Sequence, residues 1–288
     1  MADVAVVTDT THYLPREMLA ANDIHQVSLY IHWQGRQDRE IDLPGYDEYY
    51  EHLRTAAELP TTSQPSIGDF LEVWKPLLDA GRDVVSIHLA AGISGTCASA
   101  HQARQALDEQ DGGGGRVTVL DSQTSCGGLG LIVLAAAAAA LQGASAAQVA
   151  ERALAAREAV RIWFAVDTLE YLRRGGRVGA ARAWLGSTLK IKPILTLQSQ
   201  ITPVERVRTA ARATERMVEF LQSRHDDGAD AWSVQHIQDP ERAQLLVERG
   251  REIFGSEPVF VGEVGPVIGT HVGPGLLGVG GLPPALLD

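Results

Sequence analysis

Short runs of β-branched and apolar residues alternate with longer stretches of helical period through the first half of the chain. The runs at 4–9, 26–33, 83–89 and 116–121 predict strands, each rich in Val, Ile or Leu and bounded by turn residues. The stretches 15–21, 46–58, 67–80, 94–110 and 127–141 have helical length, and several open on Pro, Ser or Gly. Alternation of this kind predicts a parallel sheet flanked by helices.

A further helix over 146–159 leads into a strand at 161–167, where the texture changes, so a domain boundary is expected near residue 160. Beyond it the pattern predicts an element at 168–174, a short helix around 180–189 and a hairpin of the runs 192–198 and 201–208. Helix 209–223, strand 232–237, helix 240–254 and a last strand at 259–264 follow. The glycine tract 112–115 ends a helix rather than preceding one, so it reads as a flexible return and not as a phosphate cradle.

Three turns carry candidate chemistry. After strand 83–89 comes Ala90-Ala91-Gly92-Ile93-Ser94-Gly95-Thr96 and then a helix, which presents free N–H groups and a positive dipole end to an anion. Ser94 adds a hydroxyl, and Gly92 and Gly95 permit close approach. The same residues equally serve to cap the helix, and the turn alone does not decide between the two roles. The next strand ends in the similar turn 121–128, so two such turns are expected at neighbouring carboxyl ends, where open α/β sheets bind ligands. Asp121 there suits an Asx turn. The segment Pro60-Thr61-Thr62-Ser63-Gln64-Pro65-Ser66 is rich in hydroxyls and uncharged, with Ser66 placed to cap the following helix. Near the end, His271 lies in a glycine–proline run expected to bend a loop over a cleft, where it can donate to a carboxylate or act as a base.

Composition narrows the classes. The chain has 288 residues, enough for a buried cavity, and its 45% hydrophobic and 21% charged content is that of a globular protein. A formal net charge of -11 argues against a nucleic-acid scaffold. Cys97 and Cys126 suggest neither a disulfide framework nor a metal site, and the amino terminus lacks a secretory pattern, which together point to a reducing cytoplasm. The stretch 122–150 carries no charge, yet its Ala- and Gly-rich middle and lack of aromatic or basic anchors indicate a buried helix rather than a membrane span. Between Arg173 and Arg216 ten residues are Lys or Arg and only Glu205 and Glu215 are acidic, which suggests a docking patch. One reading of these residues is a serine hydrolase with Ser94 as nucleophile and His271 as base. Against it, Gly92-Ile93-Ser94-Gly95 lacks the glycine spacing of a nucleophile elbow, and no orienting carboxylate is evident.

The order and spacing of several short motifs over nearly the whole chain resemble the DegV family. They are Thr8-Asp9-Thr10 with Leu14-Pro15, Thr62-Ser63-Gln64-Pro65-Ser66, Ser94-Gly95-Thr96, Asp121-Ser122 with Gly128 and Gly130, Leu169-Glu170-Tyr171-Leu172 with Arg174-Gly175-Gly176-Arg177, Ile191-Lys192-Pro193-Ile194, and His271 with Gly273-Pro274-Gly275. The resemblance implies a two-domain α/β fold, with a parallel-sheet amino-terminal domain over 1–160, a smaller α/β carboxyl-terminal domain over 161–288 and a ligand tunnel between them. It implies a non-catalytic protein whose ligand is a fatty acid of about C14–C18, with no other cofactor and no metal. The carboxylate would be held by Thr62 and Ser94, with Ser63, Gly95, Thr96 and His271 beside it. The implied partner is a fatty-acid kinase subunit that phosphorylates that carboxylate, docking on Arg173, Arg174, Arg206 and Arg208, with transient contact to a membrane surface allowed. This chain departs from the family pattern at Ala90-Ala91, where serines are common, at Cys97, which replaces a frequent aromatic, and at Gln198-Ser199-Gln200, which lacks the usual hairpin glycine.

Overall fold

The protein is described from a computed structural model covering residues 3–185 and 191–288. Its first half runs β1 (Val4–Asp9), α1 (Arg16–Ala21), β2 (Ile24–Val27), β3 (Tyr30–Trp33), β4 (Arg36–Arg39), α2 (Asp47–Thr55), β5 (Thr61–Ser63), α3 (Ile67–Asp79), β6 (Asp83–His88), α4 (Thr96–Asp111), β7 (Val117–Asp121), α5 (Cys126–Leu141) and α6 (Ala146–Ala159). It continues through β8 (Arg161–Ala165), α7 (Glu170–Arg174), β9 (Lys192–Gln198), β10 (Gln200–Val207), α8 (Ala210–Asp226), β11 (Ala231–His236), α9 (Pro240–Phe254), β12 (Phe260–Glu263), α10 (Pro266–Val272) and β13 (Leu277–Leu282).

Strands β2-β1-β6-β7 form a parallel sheet, with α3 and α4 on one face. Strands β10-β9-β8-β13-β11-β12 form a mixed sheet backed by α8 and α9. Between the sheets lies α5, which touches β1 on one side and β8, β11 and β13 on the other. Every residue from Gly127 to Ala137 is buried, so over these turns it has no polar stripe to turn outward. Small residues set its distance from its neighbours. A Cβ on Gly130 would stand 3.0 Å from the Phe260 ring and 3.1 Å from Leu14. No helix among the described residues is long and apolar enough to cross a membrane.

Sequence patterning located most of these elements, and its misses have local causes. Residues 26–33 are two strands in different sheets rather than one. The chain leaves the ladder at Ser28, whose hydroxyl donates to Leu29 O (2.8 Å) and accepts from Ile41 N (3.2 Å), sending β3 into a small antiparallel sheet β4-β3-β5. The hydroxyl-rich loop of 60–66 contains β5, paired with β3. Strand β12 is not the last; β13 follows it and sits between β8 and β11. Its Gly278, Gly280 and Gly281 weaken the strand signal, although Gly280 is required because its Cβ would lie 2.7 Å from Ile162. The 180–189 helix is a 3-10 helix, Gly179–Trp184, and residues 186–189 lie outside the described residues. Cys97 sits inside α4 and Cys126 at the first position of α5. Burial raises both thiols, that of Cys126 to about 12, so neither is a reactive thiolate.

The run around His271 is also helical rather than a loop, and residues from the first fifty seat it. Glu40 accepts hydrogen bonds from Val267 N (2.8 Å) and the Tyr13 hydroxyl (3.0 Å), while Ile268 N donates to Tyr13 (3.2 Å). Tyr50 donates to Val264 O (2.6 Å), and the Tyr49 hydroxyl meets Thr270 Oγ1 (2.5 Å). Burial pushes the Glu40 carboxyl up to about 7, against the lowering effect of its hydrogen bonds. Because the folded value exceeds the ordinary 4.5, the unfolded chain ionises first, and stability contributed at low pH is lost as pH rises through this window. Glu40→Gln keeps an acceptor for Val267 and removes the ionisation. Urea unfolding at pH 4.5 and pH 7.5 should show the variant gaining on the order of 3 kcal/mol relative to wild type across that interval. A pH-independent difference would refute the burial argument.

Candidate functional site

The site begins at a buried carboxylate. Asp9 ends β1 and accepts from Thr11 N (3.0 Å), Thr11 Oγ1 (2.6 Å) and Leu89 N (2.8 Å), and it pairs with His88 Nδ1 (3.2 Å). Burial alone would raise its pKa, but these bonds, led by that of His88, hold it below the usual carboxylate range. His88 Nε2 meets Ser86 Oγ at 2.8 Å, and Trp74 Nε1 donates to the same Ser86 hydroxyl at 3.3 Å. This network fixes the carboxyl end of β6 and therefore the start of the 89–95 turn. The turn is also fixed from β7, since Ala90 N donates to Thr124 O (2.8 Å) and Ala91 N to Asp121 Oδ1 (3.1 Å). Asp121 also accepts from Gln123 N (2.8 Å), the Asx role read from the sequence.

The two small-residue turns are therefore neighbours, as expected, and Ser94 lies at the beginning of α4. Its hydroxyl accepts from Thr96 N (3.3 Å) and meets Thr96 Oγ1 (2.9 Å), but the N-cap of α4 is Gly95 without a side-chain cap bond, so Ser94 stands just outside the helix, half-buried and lining a cavity. That cavity, of about 90 Å³, lies between the two large sheets, and its wall is mostly apolar, including Leu29, Leu89, Phe164, Leu172, Leu197, Val267, Ile268 and Leu276. Thr62, Ser63, Gln64, Ser94, Arg177 and His271 contribute polar groups to the same wall. Strand β5 brings Thr62 there through its pairing with Ile31, and α10 brings His271, so that Thr62 Oγ1 and His271 Nε2 meet at 2.7 Å. Ser63 contacts His32 Nε2 at 3.0 Å. Gly95 faces an adjoining surface cleft instead, and Thr96 is fully buried behind Ser94.

His271 is neutral over the physiological range. Burial lowers its pKa to about 4, and the nearby Arg177 charge acts in the same direction. Nδ1 has no hydrogen-bond partner among the described residues and lies against Gly175, where a Cβ would approach it to 2.4 Å. A neutral ring that accepts from Thr62 carries its proton on Nδ1, whereas one that donates to Thr62 leaves Nδ1 bare. Ser94 and His271 share no hydrogen bond, His271 has no carboxylate behind it, and Ser94 lacks the left-handed backbone strain of an elbow. The geometry is that of a cluster of neutral donors at the edge of an apolar cavity.

A family model described as "Uncharacterised protein, DegV family" matches residues 3–283. The chain belongs to the DegV family. It is similar to Protein DegV of Bacillus subtilis, with 36% identity over 280 residues, 96% of this chain and 98% of that one. The crystal structure of DegV from Bacillus subtilis, described as a fatty acid binding protein, matches with a TM-score of 0.86 at 35% identity, covering 98% of this chain and 100% of that one. A DegV family protein from Thermus thermophilus, whose structure is described by its fatty acid binding, matches with a TM-score of 0.86 at 32% identity and the same coverage.

In this DegV-family chain the residue that sequence reasoning placed only in a basic patch, Arg177, belongs to the cavity wall. Its guanidinium donates to Ile93 O (3.2 Å) and Gly175 O (2.6 Å), tying α7 to the Ser94 turn. The signal was present in Arg174-Gly175-Gly176-Arg177, but nothing in that run says which arginine borders the cavity mouth. Of the other basic residues, Arg173 pairs with Glu170, Lys192 with Asp167, Arg212 with Glu219 and Arg216 with Glu205. Arg174 borders a cleft beside Thr62 and His271; Arg206 on β10 and Arg208 just past its end are exposed, with Arg206 5.2 Å from the centre of the Trp184 ring. By NMR titration the His271 ring should report a midpoint near 4, and Gly175→Ala, which displaces the ring, should move it toward 6.5. A midpoint near 6.5 in the unaltered protein contradicts the assignment of a neutral, desolvated ring.

Proposed function

We propose that this protein binds a long-chain fatty acid without transforming it. The acyl chain lies in the cavity between the sheets, and the carboxylate rests on the hydroxyls of Thr62 and Ser94, with Ser63 and the Gly95–Thr96 helix start behind them. His271 orients the cluster: its neutral ring donates from Nε2 to Thr62 Oγ1, which leaves the Thr62 hydroxyl proton for the carboxylate. The observation that carries this reading is the joining of an apolar cavity to hydroxyl groups drawn from two distant segments, in a chain whose solved relatives are described as fatty acid binding. The division into domains over 1–160 and 161–288 belongs to the same proposal, with the acyl chain lying at their junction.

The energetics support it. A carboxylate leaving water needs a full set of hydrogen bonds, and hydroxyls with helix-terminal N–H groups can supply them. Burying a methylene is worth about 0.8 kcal/mol, so a chain of about C14–C18 gains on the order of 10 kcal/mol before association costs. The tail provides affinity and the polar cluster provides orientation. The exposed Arg206 and Arg208, together with Arg173 and Arg174, then form the docking face for a fatty-acid kinase in the cytoplasm, which phosphorylates the presented carboxylate.

Native mass spectrometry after incubation with C14–C18 acids, followed by organic extraction, should show one retained acyl chain per protein. Absence of any retained acid sinks the proposal. Ser94→Ala and Thr62→Ala should each weaken retention about tenfold, the value of one hydrogen bond to a charged group. Arg206→Ala and Arg208→Ala should leave retention unchanged and slow acyl-phosphate formation by the kinase; full acyl-phosphate formation by both refutes the docking assignment.

A further inference from the structure

One polar group in the cavity wall has no role in holding a carboxylate. Gln235 lies on β11, is 3% exposed, and lines the cavity together with Ser233, two positions earlier on the same strand face. The alternate residues Trp232 and Val234 belong to the opposite core, under α8 and α9. The Gln235 amide nitrogen donates to the His12 carbonyl at 3.2 Å. A carbonyl only accepts, so this bond fixes the orientation of the amide and leaves Oε1 as the free end. Oε1 has no hydrogen-bond partner among the described residues. It stands 3.3 Å from where a Cβ on Gly127 would be, and Ser233 Oγ stands 2.9 Å from the same point, which sets the two oxygens side by side over the first turn of α5. Ile162, Phe164 and Val279 supply apolar wall to the same cavity.

We infer that Gln235 and Ser233 form a second polar subsite that takes a hydroxyl group carried on the acyl chain. The inference rests on the acyl-binding reading above and makes it more specific. A buried acceptor is normally satisfied, and an unmodified hydrocarbon offers it nothing. A chain hydroxyl donates to Oε1 and accepts from the Ser233 hydroxyl, so one ligand group satisfies both. A purely apolar tail has no need of this pair, and a leucine in place of Gln235 would suit it better. The absence of a Cβ at Gly127 leaves the space beside these oxygens open.

The test is a binding series on the full-length protein. Displacement of a fluorescent fatty acid gives dissociation constants for unsubstituted C16 and C18 acids and for isomers with a single hydroxyl placed from mid-chain to the terminal carbon. One hydroxyl position should bind about tenfold more tightly than its neighbours and at least as well as the unsubstituted acid. Gln235→Leu should abolish that preference and tighten the unsubstituted acid, and Ser233→Ala should reduce the preference in a protein of unchanged thermal stability. If the unaltered protein binds unsubstituted acids while every hydroxylated isomer binds equally weakly, the subsite is refuted and acyl binding stands. If neither kind of acid binds, the acyl reading itself fails and takes the subsite with it.

Discussion

The arrangement of the site depends first on the burial of Asp9. A carboxylate with no solvent exposure is tolerated only when its oxygens are bonded, and here the bonds come from Thr11, Leu89 and His88, which belong to two strands and the segments after them. The donors cannot all reach Asp9 unless β1 and β6 end level with one another. This requirement fixes where β6 gives way to the Ser94 turn. Because the next bonds run from that turn to Thr124 and Asp121, the same constraint carries across to β7. The amino-terminal side of the cavity is therefore a consequence of one ionised group and its donors.

The other side depends on α5 and α10. Helix α5 separates the two sheets, and its small residues keep the separation short, so the cavity is bounded rather than open. Helix α10 is a brief element without a side-chain cap, and its placement comes from Glu40, Tyr13, Tyr49 and Tyr50. Gly269 accepts this packing because a Cβ there would fall 2.2 Å from the Tyr50 hydroxyl. Aromatic hydroxyls from the first fifty residues thus orient His271, more than two hundred positions away in sequence. Positioning by packing and positioning by hydrogen bond act on the same short helix.

Sequence legibility follows from these mechanisms. Strand β1 and helices α6 and α9 were readable to the residue, because their periodicity and end signals are local. Ser94 was readable as part of a strand-to-helix turn for the same reason, and it lines the cavity from the position before the Gly95 N-cap rather than capping α4 itself. What local pattern could not give was anything decided by a distant partner. Three-residue β5 has no period of its own and exists because β3 pairs with it. Glycine-rich β13 is a strand because β8 and β11 hold both of its edges. The meeting of Thr62 with His271 spans 209 residues and came only from resemblance. Arg177 was seen as charge, and its bond to Ile93 O at the cavity mouth emerges only once α7 is packed against the Ser94 turn.

The choice of neutral donors has a physical consequence for how a bound carboxylate is held. Arg177 is exposed and spends its hydrogen bonds on backbone carbonyls, so it biases the local potential without forming a buried ion pair. Burial, reinforced by this charge, suppresses protonation of His271, which keeps a second cation from forming beside the cavity. A carboxylate clamped by two buried cations would be costly to release, since separating the pair strands charges in a poor solvent. Hydroxyls, backbone N–H groups and a neutral imidazole give direction to the headgroup of the proposed complex at a smaller penalty for letting it go. In the proposed complex the carboxylate lies beside the cleft bordered by Arg174, Arg177 and His271, near the surface rather than at the bottom of the cavity. A chain anchored chiefly by its tail, with a weakly held headgroup near solvent, is chemically suited to having that headgroup modified while the tail stays bound.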